Sequence, residues 1–240
     1  MSADQNHPSV QSAGQTLTLL PSGAIYCQDL ATLWVADVHL GKAATYRQLG
    51  QPVPQGTTTQ TLAQLTDDLM RHGIEHLVVL GDFLHGPQVH RSASTLQAIA
   101  RWRDAHNRCK VTLIRGNHDD RAGDPPRALA IDVVDEPFML AGLACCHHHQ
   151  ETKVGSGAPV LWGHLHPVAL LQGRARERLR LPCFVVGTNH ILLPAYGAFT
   201  GGHVYSPARD ETLYVIADQS VFKLPNPLSV TRQGSPSSHQ

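Results

Sequence analysis

Five apolar runs of strand length are spaced along the first two thirds of the chain, and a turn rich in polar side chains follows each of them directly. The runs occupy residues 33–36, 77–80, 111–114, 143–146 and 160–162. They are apolar at nearly every position, which is typical of strands covered on both faces. The pattern therefore predicts a layered protein with β-structure at its centre.

Segments with helical spacing lie between the first three of these runs. Helices are predicted over residues 42–49, 60–72 and 94–106. In the second of them, Leu62, Leu65 and Leu69 fall on one face, and the threonines at 57–59 are candidate N-caps. Strand and helix alternate with connections of crossover length, so we predict parallel strands joined by right-handed crossovers.

The second half of the chain is richer in strands than in helices. Extended segments are predicted there at residues 128–134, 137–140, 179–186, 191–193 and 213–217. One further hairpin is predicted near the start of the chain, at residues 17–26. Because helical patterns stop where the strands of the second half begin, we expect a second mixed or antiparallel sheet. The residue pattern thus favours an α/β (mixed α+β) sandwich of two sheets flanked by helices.

Composition indicates one globular domain with loose ends. The 240 residues are 42% hydrophobic and 16% charged, as in globular proteins, and can bury a substantial core. We predict a single domain over residues 16–225. The polar segments 1–15 and 226–240 have little to bury and are expected to be disordered.

Charge and cysteine content limit the class of function. Nineteen basic and nineteen acidic residues give no global basic footprint, which argues against an obligate nucleic-acid coat. Five cysteines without a Cys-x-x-Cys pair argue against a disulfide framework and favour a reducing compartment. With no signal peptide or membrane-spanning run in the sequence, we expect a cytoplasmic protein away from the membrane.

The polar residues after the apolar runs are the types that hold divalent metals. Ligands in parallel sheets collect at the carboxyl ends of strands, so these side chains are expected to meet. The seven candidates are Asp37, His39, Asp82, Asn117, His147, His164 and His166. Mixed oxygen and imidazole donors suit Mn²⁺, Fe or Zn²⁺ better than Mg²⁺. The set predicts two divalent metal ions that share at least one carboxylate ligand.

Each of these motifs is weak on its own. Asp-x-His occurs often by chance, and Gly-Asp after a strand is usually a turn. The run Gly116-Asn117-His118-Asp119 is more distinctive, because a turn has no need of His and Asp after Gly-Asn. Within the run of three histidines at 147–149 we choose His147, which directly follows its strand, although His148 stays an alternative.

Taken together, the motifs Asp37-x-His39, Gly81-Asp82, Gly116-Asn117-His118-Asp119, His147 and Gly163-His164-x-His166 resemble the calcineurin-like metallophosphoesterase superfamily. The resemblance implies a four-layer αββα sandwich. It also implies that Asp37, His39 and His166 hold the first metal, that Asp82 bridges, and that Asn117, His147 and His164 hold the second.

The same resemblance assigns catalytic roles. It implies that His118 is the phosphate-facing acid and that Asp119 supports it. Many family phosphatases carry an aspartate three residues after the bridging one, where it orients the catalytic histidine; this chain has His85 there. That version is similar to the Mre11/SbcD-type nucleases, so we count His85 as catalytic and favour a phosphodiesterase over a protein phosphatase.

A narrower resemblance extends beyond the metal motifs. Residues 33–43, 52–57, 181–184 and 193–202 are similar to the bacterial ligase-associated DNA damage response phosphoesterases, the PdeM family. This implies an Mn²⁺-dependent endonuclease or phosphodiesterase linked to DNA repair. It also implies partners in an ATP-dependent DNA ligase and a helicase, and DNA as the phosphodiester substrate.

Cations around the motifs are candidates for substrate binding. We predict contacts to substrate phosphate from Lys42, Arg115 and Arg176. Arg174, Arg176, Arg178 and Arg180 alternate and would share one face of a strand. This basic stripe either contacts nucleic acid or protects an exposed edge strand, and the sequence leaves both open.

Other functions fit the same residues. A phosphomonoesterase or nucleotide pyrophosphatase would use the same metal site on other esters. A non-catalytic metal-binding scaffold of a repair complex would bind metal without turnover, although a complete ligand set beside His118 argues against it. Whether the chain forms a homo-oligomer is also left open.

Overall fold

In the computed structural model, which describes residues 7–48, 50–53, 56–149, 157–172 and 177–225, two β-sheets face each other. The first sheet has seven strands that follow chain order from β1 to β7. These are Ser9–Ser12, Gln15–Leu19, Ile25–Cys27, Thr32–Val35, His76–Leu80, Lys110–Ile114 and Asp132–Val134. Strands β1 to β4 are antiparallel, and β4 to β7 are parallel, as the crossover pattern predicts.

The second sheet has nine strands and is also mixed. Strands β8 to β16 are Phe138–Leu140, Leu143–Cys145, Val160–Trp162, Pro167–Gln172, Arg178–Val186, His190–Leu192, His203–Val204, Thr212–Ala217 and Ser220–Lys223. Their main order is β14-β11-β12-β13-β10-β9-β8, while β15 pairs with β12 and β16 with β15. Strands β9, β10 and β13 are parallel neighbours, so their carboxyl ends lie at one edge.

Helices cover the outer face of the first sheet. Helices α1 to α4 are Lys42–Gln48, Thr57–His72, Ala93–Ala105 and Asn117–Ala122, and short 3₁₀ helices span Pro87–Arg91 and Arg127–Leu129. Leu65 of α2 and Ile99 of α3 are fully buried in the same core as Leu77 of β5. The predicted class is confirmed: two mixed sheets flanked by helices.

Strand β4 shows how the sequence pattern builds the layers. Its successive side chains point to opposite faces. Leu33 and Val35 enter the core under the helices, whereas Trp34 enters the core between the sheets with Leu161 and Phe184. Both faces of the strand are buried, which is the reason that residues 33–36 are all apolar.

The prediction of disorder over residues 1–15 is wrong where the chain is described. Strand β1 pairs in antiparallel register with β2, from Ser9 opposite Thr18 to Ser12 opposite Gln15. A polar edge strand needs only backbone pairing and one buried face, so its poor apolar content is no obstacle. Residues 1–6 and the tail 226–240 lie outside the described residues, and the domain limits stay a prediction.

Three local predictions also need correction. The segment 128–134 begins as a 3₁₀ turn that buries Leu129, and only Asp132–Val134 is a strand. Helix α2 starts at Thr57 with Gly56 as its N-cap, so the threonines are inside the helix. Helix α4 and strand β11 were not predicted, because both start within or next to a ligand motif that interrupts hydrophobic periodicity. Among the helices of the described residues, none is long and apolar enough to cross a membrane.

Candidate metal centre

The seven predicted ligands converge at the edge where the two sheets meet. Asp37 and His39 follow β4, Asp82 follows β5, and Asn117 follows β6. The remaining three follow strands of the second sheet: His147, His164 and His166. Candidate ligand atoms within 4.8 Å of one another form four groups, and two of these share Asp37: Asp37 with His39 and His166, and Asp37 with Asp82 and His147. The other two are His147 with His148 and His164, and His39 with His85 and His118.

The backbone at these residues is unusual. Five of them have a positive φ, a region that L-residues other than glycine rarely adopt. They are Asp37 (55°), His39 (49°), Asp82 (53°), His164 (73°) and His166 (47°). Strained backbone of this kind persists where the surrounding structure fixes it, and it concentrates at functional sites. The strain turns successive side chains inward from the strand ends.

The first group of ligands leaves lone pairs facing each other. His166 Nδ1 lies 3.1 Å from the carbonyl oxygen of Gly201, so we place its proton there and leave Nε2 bare. That Nε2 is 3.1 Å from Asp37 Oδ1 and 3.4 Å from His39 Nε2. Asp37 Oδ1 is buried and has no hydrogen-bond partner among the described residues. An orphaned carboxylate oxygen beside a bare imidazole nitrogen fits a cation between them.

The second group also has a bare imidazole nitrogen that faces other donor atoms. His147 Nδ1 donates to the carbonyl oxygen of Leu80 at 2.9 Å, which leaves Nε2 bare. That nitrogen lies 3.0 Å from Asn117 Oδ1, 3.1 Å from His164 Nδ1 and 3.5 Å from Asp82 Oδ1. A backbone carbonyl that fixes the histidine tautomer is the usual outer support of a metal ligand.

Asp82 lies between the two groups. Its Oδ1 faces His147, while its Oδ2 is 3.8 Å from His39 Nε2. The carboxylate is almost completely buried, and burial raises its pKa although the neighbouring histidine lowers it. This placement is what a bridging ligand requires, so the residues present fit a pair of divalent ions.

Two of the predicted ligands, His39 and His164, are held in the neutral form that metals bind. Burial lowers the pKa of His164 to about 4, and it lowers the pKa of His39 further below its usual range. A neutral imidazole offers its lone pair without first losing a proton. These ligands therefore need no deprotonation near neutral pH.

His118 is not one of the seven predicted ligands, although one of its ring nitrogens lies within 4.8 Å of nitrogens of His39 and His85. Its Nδ1 donates to the carbonyl oxygen of His85 at 2.8 Å, and its Nε2 is 4.0 Å from Asp82 Oδ2. Its backbone N–H donates to Asp82 Oδ1 at 2.9 Å. The imidazole is partly exposed, so Nε2 is accessible to a substrate.

Asp119 connects the two loops that carry Asp82 and His118. It is fully buried and accepts backbone N–H bonds from Phe83, Leu84 and Gly116 at 3.1–3.3 Å. Burial raises the pKa of this carboxyl to about 6, and the three hydrogen bonds act in the opposite direction. Its contacts are those of a supporting group, as the resemblance implies.

Between the adjacent histidines, geometry favours His147. Its Nε2 is central to the second group, whereas His148 Nδ1 pairs with Glu136 Oε1 at 3.4 Å. Glu136 also accepts the backbone N–H of both histidines at 2.8 and 2.9 Å, which fixes their loop. Sequence reasoning missed Glu136; its place shortly after β7 was the available signal.

The three residues predicted to contact substrate have different surroundings in the structure. Lys42 is half-buried at the start of α1, where burial lowers its pKa and the carboxylates of Asp37 and Asp82 raise it. Arg115 pairs with Asp120, Asp124 and Asp135, which weighs against a contact to phosphate. Arg176 lies outside the described residues.

Only part of the predicted basic stripe can be placed. Arg178 and Arg180 are exposed on β12, and Arg180 donates to the carbonyl oxygen of Gly202. In the described register, this half of β12 pairs with β11 alone, whereas residues 183–186 pair with β15. Both the nucleic-acid and the edge-protection interpretations therefore stay open.

Two glycines of the motifs are required by close approach. A Cβ on Gly81, which has a φ of +79°, would lie 2.1 Å from His147 Nδ1, and one on Gly116 would lie 2.4 Å from Asp82 Oδ1. Real Cβ atoms do not approach other atoms this closely. The glycines thus let the ligand loops pack against each other.

We expect Gly81→Ala to lower metal affinity at least about tenfold, because the methyl group must displace the His147 ring. Metal titration by calorimetry measures the effect. Gly14→Ala is the control, since Gly14 has a similar φ of +75° but nothing within 4 Å of the added atom. Equal losses in both variants would mean that backbone strain, and not the clash, is responsible.

Comparison with known proteins agrees with this geometry. The family model for calcineurin-like phosphoesterases matches residues 30–156, more than half of the chain. The structure is similar to that of Pseudomonas putida nuclease MPE, with 45% sequence identity, a TM-score of 0.79, and coverage of 91% of this chain and 100% of that chain. That similarity is consistent with the narrower resemblance to the PdeM family.

A second similarity is more distant. The E. coli phosphoesterase YfcE shares 18% identity over 81% of this chain and 98% of its own, with a TM-score of 0.40, which is too low to carry an argument. No curated protein matches the chain. The family model and the nuclease structure are sufficient: the chain belongs to the calcineurin-like phosphoesterase family and is a metal-dependent phosphoester hydrolase.

Proposed function

We propose that this hydrolase is an Mn²⁺-dependent phosphodiesterase that acts as an endonuclease on DNA. The observation that carries the proposal is the placement of Asp82 between two groups of bare donor atoms, with His118 beside them. Two positive centres and a proton donor around one space are what cleavage of a phosphoric ester needs. Oxygen and imidazole donors in one set support Mn²⁺.

In this proposal each residue has a defined task. Asp37, His39 and His166 would hold one ion, Asn117, His147 and His164 would hold the other, and Asp82 would be shared by both. The ions, when bound, neutralise the phosphoryl charge and make water nucleophilic near neutral pH. When both ring nitrogens of His118 carry protons, the Nε2 proton passes to the departing alkoxide and leaves the neutral ring, while the Nδ1–H bond to the carbonyl oxygen of His85 keeps Nε2 directed at the site.

Two observations favour a diester over a monoester. The usual orienting aspartate is replaced by His85, whose backbone oxygen takes over the hydrogen bond to His118. The structure with 45% identity is that of a nuclease. Lys42, at the start of α1 and next to His39 in a small cavity, is the cation best placed for a second phosphate contact.

The cellular setting is a further part of the proposal. We place the enzyme in cytoplasmic DNA repair with an ATP-dependent ligase and a helicase. The narrower family resemblance supports this setting, as do five buried cysteines without a Cys-x-x-Cys pair. Co-purification of the tagged chain with its host's ATP-dependent ligase would test the partnership.

Hydrolysis of bis(p-nitrophenyl) phosphate and of p-nitrophenyl phosphate separates the candidate activities. With Mn²⁺ we expect at least about tenfold higher kcat/KM on the diester, because the proposed DNA substrate is also a phosphoric ester of single charge. Nicking of supercoiled plasmid under the same conditions tests the DNA assignment. A preference for the monoester would favour the phosphatase or pyrophosphatase alternative, and metal binding without any turnover would favour the scaffold.

A further inference from the structure

Three aromatic rings form a column that ends at His118. The rings of His118 and His85 are stacked, with centroids 4.8 Å apart and an interplanar angle of 20°. On the other side, Tyr46 stacks on His85 at 5.8 Å and 27°. Phe199 meets Tyr46 edge to face at 6.3 Å. The column crosses from α1 through the Asp82 loop to the start of α4.

The column restricts the tilt of the His118 ring, which the hydrogen bond of His118 leaves free. A single bond from Nδ1 to the carbonyl oxygen of His85 fixes one edge of the imidazole and leaves its tilt about that bond free. A parallel ring against its face removes this freedom. His39 closes the side of the column, edge-on to both His85 and His118 at 5.2 and 5.0 Å. The direction of Nε2 therefore depends on where the His85 ring rests.

Tyr46 is the outermost ring of this stack, and its helix is held by hydrogen bonds to neighbouring residues. Gly41 directly precedes this helix, α1, and the N–H of Gly41 donates to the hydroxyl of Thr58 at 3.2 Å. The hydroxyl of Thr45 donates to the carbonyl oxygen of Gly41. Phe199 belongs to the segment whose Gly201 carbonyl oxygen holds His166. Tyr46 is thus tied to two anchored elements at the rim of the metal centre.

We propose that Tyr46 is a positioning residue for the phosphodiester reaction, which holds the His85 ring, and through it the His118 ring, in the orientation for proton donation. The inference rests on the role proposed for His118. Tyr46 itself touches neither substrate nor metal in this scheme. The ring and not the hydroxyl group carries the effect, because stacking requires only the flat face.

The test compares Tyr46→Leu with Tyr46→Phe on bis(p-nitrophenyl) phosphate and on a DNA oligonucleotide with Mn²⁺. A misplaced acid group lowers kcat where the leaving group needs a proton, so for the leucine variant we expect about a tenfold loss on the oligonucleotide, whose leaving group is an alkoxide. On bis(p-nitrophenyl) phosphate the loss should be smaller, because nitrophenolate leaves without a proton. KM and bound metal should not change. The phenylalanine variant should retain most of the wild-type kcat.

Tyr26→Leu is the matched control. Tyr26 also packs against a histidine, His72, with centroids 4.6 Å apart, but it lies on β3, which contributes no residue to the site. Its loss should leave kcat near that of the wild type. A double-mutant cycle adds the decisive comparison: in a His118→Ala background, Tyr46→Leu should cause no further loss.

The outcomes distinguish this inference from the proposed function. Unchanged kcat in Tyr46→Leu, equal losses in the leucine and phenylalanine variants, loss of metal, or full additivity with His118→Ala would each overturn the positioning role. A wild-type enzyme inert on both diesters would instead overturn the proposed function, and this inference with it. Active wild type with an insensitive Tyr46 would leave the phosphodiesterase proposal intact.

Discussion

Replacing Asp82 by asparagine should remove metal binding and activity together. The amide oxygen can still accept the backbone N–H of His118, so the loop keeps its hydrogen bond. It loses the negative charge that faces both ligand groups. We expect a fall in kcat/KM of at least about a thousandfold, equivalent to about 4 kcal/mol of transition-state stabilisation. Elemental analysis and steady-state kinetics on bis(p-nitrophenyl) phosphate measure the two effects.

Asp120→Asn provides the control for this substitution. Asp120 is an exposed carboxylate close to the site in sequence, and it pairs with Arg115 at 3.8 Å. An exposed ion pair of this kind contributes little, so metal content and turnover should stay near the wild-type level. An Asp82→Asn protein that kept both metals and its rate would contradict the bridging role.

Replacing His118 by alanine should separate metal binding from turnover. His118 is not one of the seven predicted ligands, and its Nδ1 is bonded to the carbonyl oxygen of His85, so metal content should be retained. Loss of a positioned general acid typically costs about 10²–10⁴-fold in rate. We expect a loss in that range on an oligonucleotide and a smaller one on bis(p-nitrophenyl) phosphate, because nitrophenolate leaves without a proton. Comparing kcat on the two substrates measures the difference.

His106→Ala is a suitable control for the histidine change. His106 is also a partly buried histidine with a side-chain hydrogen bond, between Nε2 and the hydroxyl of Thr66 at 3.0 Å, and it is the C-cap of α3. Its loss should leave the ratio of the two rates unchanged. If His118→Ala lost its metal, or slowed both substrates equally, the residue would be a ligand or a structural group instead of an acid.

Prediction from sequence succeeded where one local signal was strong. Residues 33–36 are apolar at every position, and only a strand covered on both faces uses such a run. Leu62, Leu65 and Leu69 are buried on one face of α2 as their spacing predicts. It failed for β1, whose polar residues pair with a neighbouring strand, because hydrogen bonding between backbones leaves no mark in composition.

The sequence by itself determined the layers of the fold and the set of donor residues, since burial and ligand chemistry depend on side-chain type and spacing. Only the tertiary structure decided which atoms face each other. It showed the bare nitrogens of His147 and His166 directed at carboxylates, the pairing of Arg115 with aspartates, and the stacking of Tyr46 on His85. These contacts join residues from separate elements, and their geometry depends on how the sheets and helices pack, which no single stretch of sequence encodes.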